Sequence, residues 1–108
     1  MTMLTKRETL KLIKSKVDAR KSGRIKMQKP FTCTFEGGVF RHTEKRKITH
    51  LIKCGNSVLW MDDVHNVRNI SMLSTKDLHK IMWQLISESE KKEIALQSLL
   101  NEKSYLNV

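Results

Sequence analysis

Cysteine, proline and aromatic residues are scarce in this chain, and each scarcity closes off a class of protein. Two cysteines in 108 residues, Cys33 and Cys54, are too few for a disulfide framework, so two thiols in a reducing compartment are expected. One proline and no low-complexity tract argue against a Pro-rich linker and against wholesale disorder. The aromatic content of 6% is largely needed for a core, which argues against a stacking platform for single-stranded nucleic acid. No apolar run approaches the roughly 20 residues that cross a bilayer, and Met1–Arg7 lack the apolar stretch of a signal peptide. The expectation is a cytoplasmic protein without a membrane partner. There is no P-loop, dinucleotide fingerprint or nucleophile motif.

What the chain has is positive charge, and it is segregated. The formal net charge is +10, and residues 1–50 carry 14 Lys/Arg against 4 Asp/Glu. Residues 51–108 carry 7 of each and are neutral. A one-sided excess makes a field that attracts polyanions, whereas a uniform excess would serve solubility alone. The 15 lysines against 6 arginines, with few alanines, fit an AT-rich genome such as that of a low-GC bacterium or its phage.

The chain reads as a single domain, residues 1–108, of α+β class. Residues 1–23 form a basic helix: Thr5-Lys6-Arg7-Glu8 is a capping box, and Leu10, Ile13 and Val17 come after it at helical spacing. The helix is expected to end near Lys21-Ser22-Gly23. Residues 24–30 read as a basic connector, with Pro30 forcing an extended entry into the first strand. Residues 31–72 read as a small antiparallel meander of about five short strands. In its first hairpin Gly37-Gly38 supplies a two-residue turn, which sets Phe35 opposite Phe40 and Cys33 opposite His42. In the second, around Gly55-Asn56, Ile52 faces Leu59 and His50 faces Met61, while Leu51 and Trp60 take the other face. Thr43–Lys47 reads as a basic loop between the hairpins. A helix followed by short strands and tight turns is similar in architecture to SH3-like and Sm-like curled barrels, with no motif of those families present. Residues 74–104 read as helical, capped at Ser74 with Asp77 at the third helical position. They form one helix or, the preferred reading, a pair broken near Ser87–Glu90, where a second capping box occurs.

Three constellations bear on function. The cations Lys14, Arg20, Lys21, Arg24, Lys26, Lys29, Arg41, Lys45, Arg46 and Lys47 are candidates for phosphate contacts, which need reach and charge rather than fixed geometry. Cys33, His42, His50 and Cys54 could surround zinc. However, C-x8-H-x7-H-x3-C is no common zinc spacing, and a buried cysteine or histidine more often serves the core. Asp62, Asp63 and His65 could serve metal-assisted hydrolysis, but adjacent carboxylates on a strand point to opposite faces, and a polar turn explains them more simply. No cofactor is expected and the enzyme reading is not preferred.

The C-terminal segment has more apolar residues than a small sheet can cover. Trp83, Ile94, Leu96, Leu99 and Leu100 are therefore candidate partner-binding residues, either for a homodimer or for another protein. The expected function is non-enzymatic binding of DNA or RNA through the basic N-terminal face, as an accessory or regulatory factor. The alternative is an adaptor or phage-type inhibitor that covers an acidic protein surface, with the C-terminal helix as its apolar anchor.

Overall fold

The computed structural model describes residues 4–37 and 42–106, with side chains over 4–36 and 43–97. Its first element, α1 (Lys6–Asp18), starts where the capping box requires. The Thr5 hydroxyl accepts from the Glu8 N–H at 3.2 Å, and the Glu8 carboxylate accepts from the Thr5 N–H at 3.1 Å. Thr9, Ile13 and Val17 form its buried face. The helix stops at Asp18, earlier than the Lys21–Gly23 end expected. Beyond Val17 no buried apolar residue holds another turn against the core until Ile25 enters the sheet.

Four strands come next: β1 (Arg24–Gly37), β2 (His42–Cys54), β3 (Ser57–Asp62) and β4 (Val67–Asn69). They form an open antiparallel sheet in the order β1-β2-β3-β4. Two long strands and two short ones thus replace the five short strands, and the sheet does not curl into a barrel. The segment 24–30 is the first half of β1 rather than a connector, and residues 45–47 lie inside β2 rather than in a loop.

Pro30 interrupts the pairing without ending the strand. The register runs from Lys26↔His50 to Phe31↔Ile48, so four residues of β1 bulge opposite Thr49. A bulge tolerates proline because no ladder N–H is needed there. The bulged backbone is served from another element: the Lys29 N–H donates to Gln84 Oε1 at 3.1 Å, and the Lys29 carbonyl accepts from Gln84 Nε2 at 2.9 Å. Thr49 is itself an extra residue against β3, between Ile48↔Asp62 and His50↔Met61, and its hydroxyl donates to the Met61 carbonyl at 3.3 Å. This bulge lets Ile48 and Leu51, three apart, face the same side.

The second hairpin has the expected register, Ile52↔Leu59, Leu51↔Trp60 and His50↔Met61, and it turns on Gly55 at a φ of 56°. The first does not. Gly37 pairs with His42, so Phe35 lies opposite Glu44 and Cys33 opposite Arg46. The connection 38–41, with Phe40 and Arg41, lies outside the described residues.

After a 3-10 turn at Ile70–Met72, α2 (Thr75–Leu85) begins at Ser74, whose hydroxyl accepts from the Asp77 N–H at 3.2 Å. The chain breaks at Ile86, and α3 (Glu88–Leu106) starts from a second capping box. Ser87 N–H donates to Glu90 at 3.2 Å, and Glu90 N–H donates to the Ser87 hydroxyl at 3.3 Å. Ile86 is buried, and this anchors the break.

Helices α1 and α2 cover one face of the sheet, and Ile94 of α3 packs against the same core. The core joins Ile13 and Val17 of α1 and Leu78, Ile81, Met82 and Leu85 of α2 to sheet residues that include Met27, Cys33, Ile48, Leu51 and Trp60. Phe35 meets Trp60 edge to face at 5.2 Å between ring centroids.

Candidate nucleic-acid interface

Strand alternation places the remaining sheet residues on the uncovered face. From β1 these are Arg24, Lys26, Thr32, Thr34 and Glu36, and from β2 they are Thr43, Lys45, Lys47, His50 and Ile52. β3 contributes Leu59 and Met61, and β4 contributes Val67 and Asn69. On β1 and β2 burial follows the same division. Arg24, Lys26, Thr32, Lys45 and Lys47 are exposed, whereas their strand neighbours Ile25, Met27, Cys33 and Ile48 are buried.

The face has two parts. Its β1/β2 half is a cationic stripe: Arg24 and Lys26 lie beside Ile52 and His50, and Lys45 and Lys47 lie opposite Thr34 and Thr32. Among the described residues no salt bridge engages Lys26, Lys45 or Lys47. Glu36 is the sole acid on these paired positions. From Ile52 of β2 across β3 to β4 the face is apolar, with Ile52 and Leu59 half-buried, Met61 buried and Val67 44% exposed. Arg24 spans the two parts, its guanidinium reaching the Met61 sulfur at 3.4 Å.

The field on this face is recorded by His50. Its imidazole titrates below its ordinary range because of partial burial and then the positive charges of Arg24, Lys26 and His65. His50 Nδ1 lies 2.9 Å from the Thr49 hydroxyl at the bulge.

The ten expected phosphate-binding cations do not form one surface. Arg24, Lys26, Lys45 and Lys47 converge on the open face. Arg46 points to the covered side, its Nε 3.9 Å from Asp62 Oδ2. Lys14 belongs to the helical layer and pairs with Asp18 at 2.9 Å. Arg20 and Lys21 lie exposed between α1 and β1, Lys29 turns with the bulge toward α2, and Arg41 lies outside the described residues.

The candidate metal ligands separate too. Cys33 is wholly buried, its thiol donating to the Arg46 carbonyl at 3.3 Å, while Cys54 is exposed at the β2–β3 turn. Burial, reinforced by Asp77, pushes the Cys33 thiol up to about 11, so it is neutral. The His42 side chain lies outside the described residues. Among the described residues no three His, Cys, Asp or Glu side chains gather around a common point.

Asp62 and Asp63 also part company. Asp63 is exposed. Asp62 is fully buried, accepting from Val64 N–H at 3.0 Å, Asn66 N–H at 2.9 Å and Arg68 at 2.9 Å. The Arg68 guanidinium lies over Phe35 and Trp60, 4.7 and 5.2 Å from the ring centroids. Burial opposes the charge of Asp62, but the Arg68 and backbone hydrogen bonds outweigh it, and the carboxyl titrates below its ordinary range. This network builds the β3–β4 turn, in which His65 takes a φ of 68°.

Of the C-terminal apolar residues, Trp83 and Leu96 are exposed at 40% and 56%, while Ile94 packs against the core. The side chains of Leu99 and Leu100 lie outside the described residues. Comparison with protein-family models, curated proteins and solved structures finds no match to this chain.

Proposed function

We propose that the protein is a non-enzymatic nucleic-acid-binding factor that takes the phosphate backbone on the open face of its sheet. The observation that carries this reading is the stripe of Lys26, Lys45 and Lys47, continued by Arg24, on the face away from α1 and α2, where among the described residues no salt bridge engages the three lysines. Side chains two apart on a strand project the same way about 6.8 Å from one another, so the stripe offers regularly spaced cations to a polyanion. The neighbouring apolar strip of Ile52, Leu59 and Val67 suits contact with sugars and base faces, which carry no charge. With no aromatic among these paired positions, binding reads backbone more than sequence.

Affinity for DNA and RNA measured at 50 and 200 mM salt tests this reading. Four phosphate contacts lower affinity on the order of a hundredfold across that range. No detectable binding at the lower salt concentration refutes it.

A further inference from the structure

A second surface of different chemistry lies on the opposite flank of the fold, where α2 runs beside the β1 bulge. A groove of about 630 Å³ opens there, floored by Pro30, Phe31 and Trp83 and rimmed by Lys29, Lys76 and Lys80. The volume lies within the range of ligand-binding clefts. Its walls follow from helical spacing, since Lys76, Lys80 and Trp83 share one stripe of α2. Among the described residues that line it, none is acidic.

The groove is apolar in its floor and positive at its rim, and its polar groups are already engaged. Gln84 uses both amide atoms on the Lys29 backbone, and His79 Nε2 lies 2.8 Å from the Leu4 carbonyl. Lys80 lies over the Phe31 ring at 5.3 Å and Lys91 over the Trp83 ring at 5.8 Å, so positive charge borders the aromatic floor. A nucleobase would need a polar group to read its edge, and Gln84 and His79 are engaged elsewhere. A carboxylate needs only the ammonium groups. We infer that this groove docks an acidic segment of a partner protein, with one bulky apolar side chain seated between Trp83 and Phe31 and flanking Asp or Glu residues paired to Lys29, Lys76 and Lys80. The sheet-face reading is not required for this proposal.

The test titrates the full chain, by NMR, with a ten-residue peptide carrying one Leu or Trp among Asp and Glu residues. Expected are saturable shifts of the Trp83 indole N–H and of amides in 29–31 and 76–84. The double variant Lys76→Glu/Lys80→Glu should weaken binding roughly tenfold, as two rim charges of about 0.7 kcal/mol each would. Because those lysines are on the surface, an unchanged amide spectrum elsewhere shows that the variant is folded. Trp83→Ala should weaken binding as well. Failure of millimolar peptide to move these resonances overturns the proposal. So does a lysine-for-acid control peptide that binds equally well, or an oligonucleotide that moves the same amides. Concentration-dependent self-association that shields the groove replaces the partner segment with a second copy of the chain.

Discussion

Leu51 and Ile52 are neighbours in β2, yet Leu51 is wholly buried beneath the helices while Ile52 sits on the uncovered side beside Arg24. The same alternation separates Met27 from Lys26 and Cys33 from Thr32. The covered face is closed by side-chain volume and by the buried Asp62–Arg68 pair. The open face has only a small apolar strip around Met61 and gathers the like charges of Arg24, Lys26, Lys45 and Lys47, which repel one another. The covered face therefore carries the stability, and the open face is free to carry charge that a stability criterion alone would not place there.

The sharpest way to break this comparison is to cross it with substitutions. Asp62→Ala strands the Arg68 guanidinium and should cost about 3–5 kcal/mol, and Leu51→Ala about 2–5 kcal/mol, in denaturant unfolding. Lys45→Gln should stay within about 0.5 kcal/mol of the parent. Equal costs on both faces would show that the open face is structural.

Binding should move the opposite way. The triple variant Lys26→Gln/Lys45→Gln/Lys47→Gln should flatten the salt dependence of nucleic-acid affinity by about 2–3 in log–log slope, with unfolding unchanged. Lys14→Gln, in the helical layer, should leave that slope alone.

Two pH effects refine the contrast. Asp62 titrates lower folded than unfolded, so its contribution to stability is present above its ordinary value of 3.8 and is lost as pH falls through that value and below. Acid unfolding of Asp62→Asn should lack that component. Burial and then its cationic neighbours hold the His50 titration below its ordinary range, and a bound polyanion relieves the second cause, so the imidazole should titrate higher in the complex. Affinity should then rise a few-fold as pH falls below its ordinary 6.5, and His50→Gln should abolish the rise. A modest effect is expected of Thr5→Ala, which removes the α1 cap at about 1 kcal/mol and leaves binding intact.

Local signals made much of this architecture legible. Thr5–Glu8, Ser74–Asp77 and Ser87–Glu90 mark three helix starts, because each cap is satisfied within four residues of chain. Gly55-Asn56 fixes the second hairpin for the same reason. What sequence alone misplaced depends on distant partners. Pro30 looks like a strand boundary until Gln84 of α2 satisfies the backbone beside it. Gly37-Gly38 looks like a tight turn, but the pairing of Cys33 with Arg46 carries the register four residues further. Lys45-Arg46-Lys47 looks like a loop because three charges in a row suggest solvent on all sides. In a strand they divide, with two on the open face and Arg46 drawn toward Asp62. The segments read as a basic connector and a basic loop became parts of β1 and β2, while the face they share stayed hidden because its period depends on the Thr49 bulge. The Asp62 network had a faint sign in the sequence, an aspartate ahead of Asn66 in a turn-rich segment.

The side chains that α2 lends to β1 have a further effect, on the behaviour of many molecules together. β1 is a 14-residue border strand, and a bare border of that length invites another chain to add itself and begin a growing stack. Gln84 occupies the Lys29 backbone, and Asp77 accepts from the Thr34 N–H at 3.4 Å, so the helix occupies two backbone sites on that border. Colloidal stability thus depends on α2 staying docked. Conditions or substitutions that loosen α2 should make the protein polymerise through β1 well before the sheet itself melts.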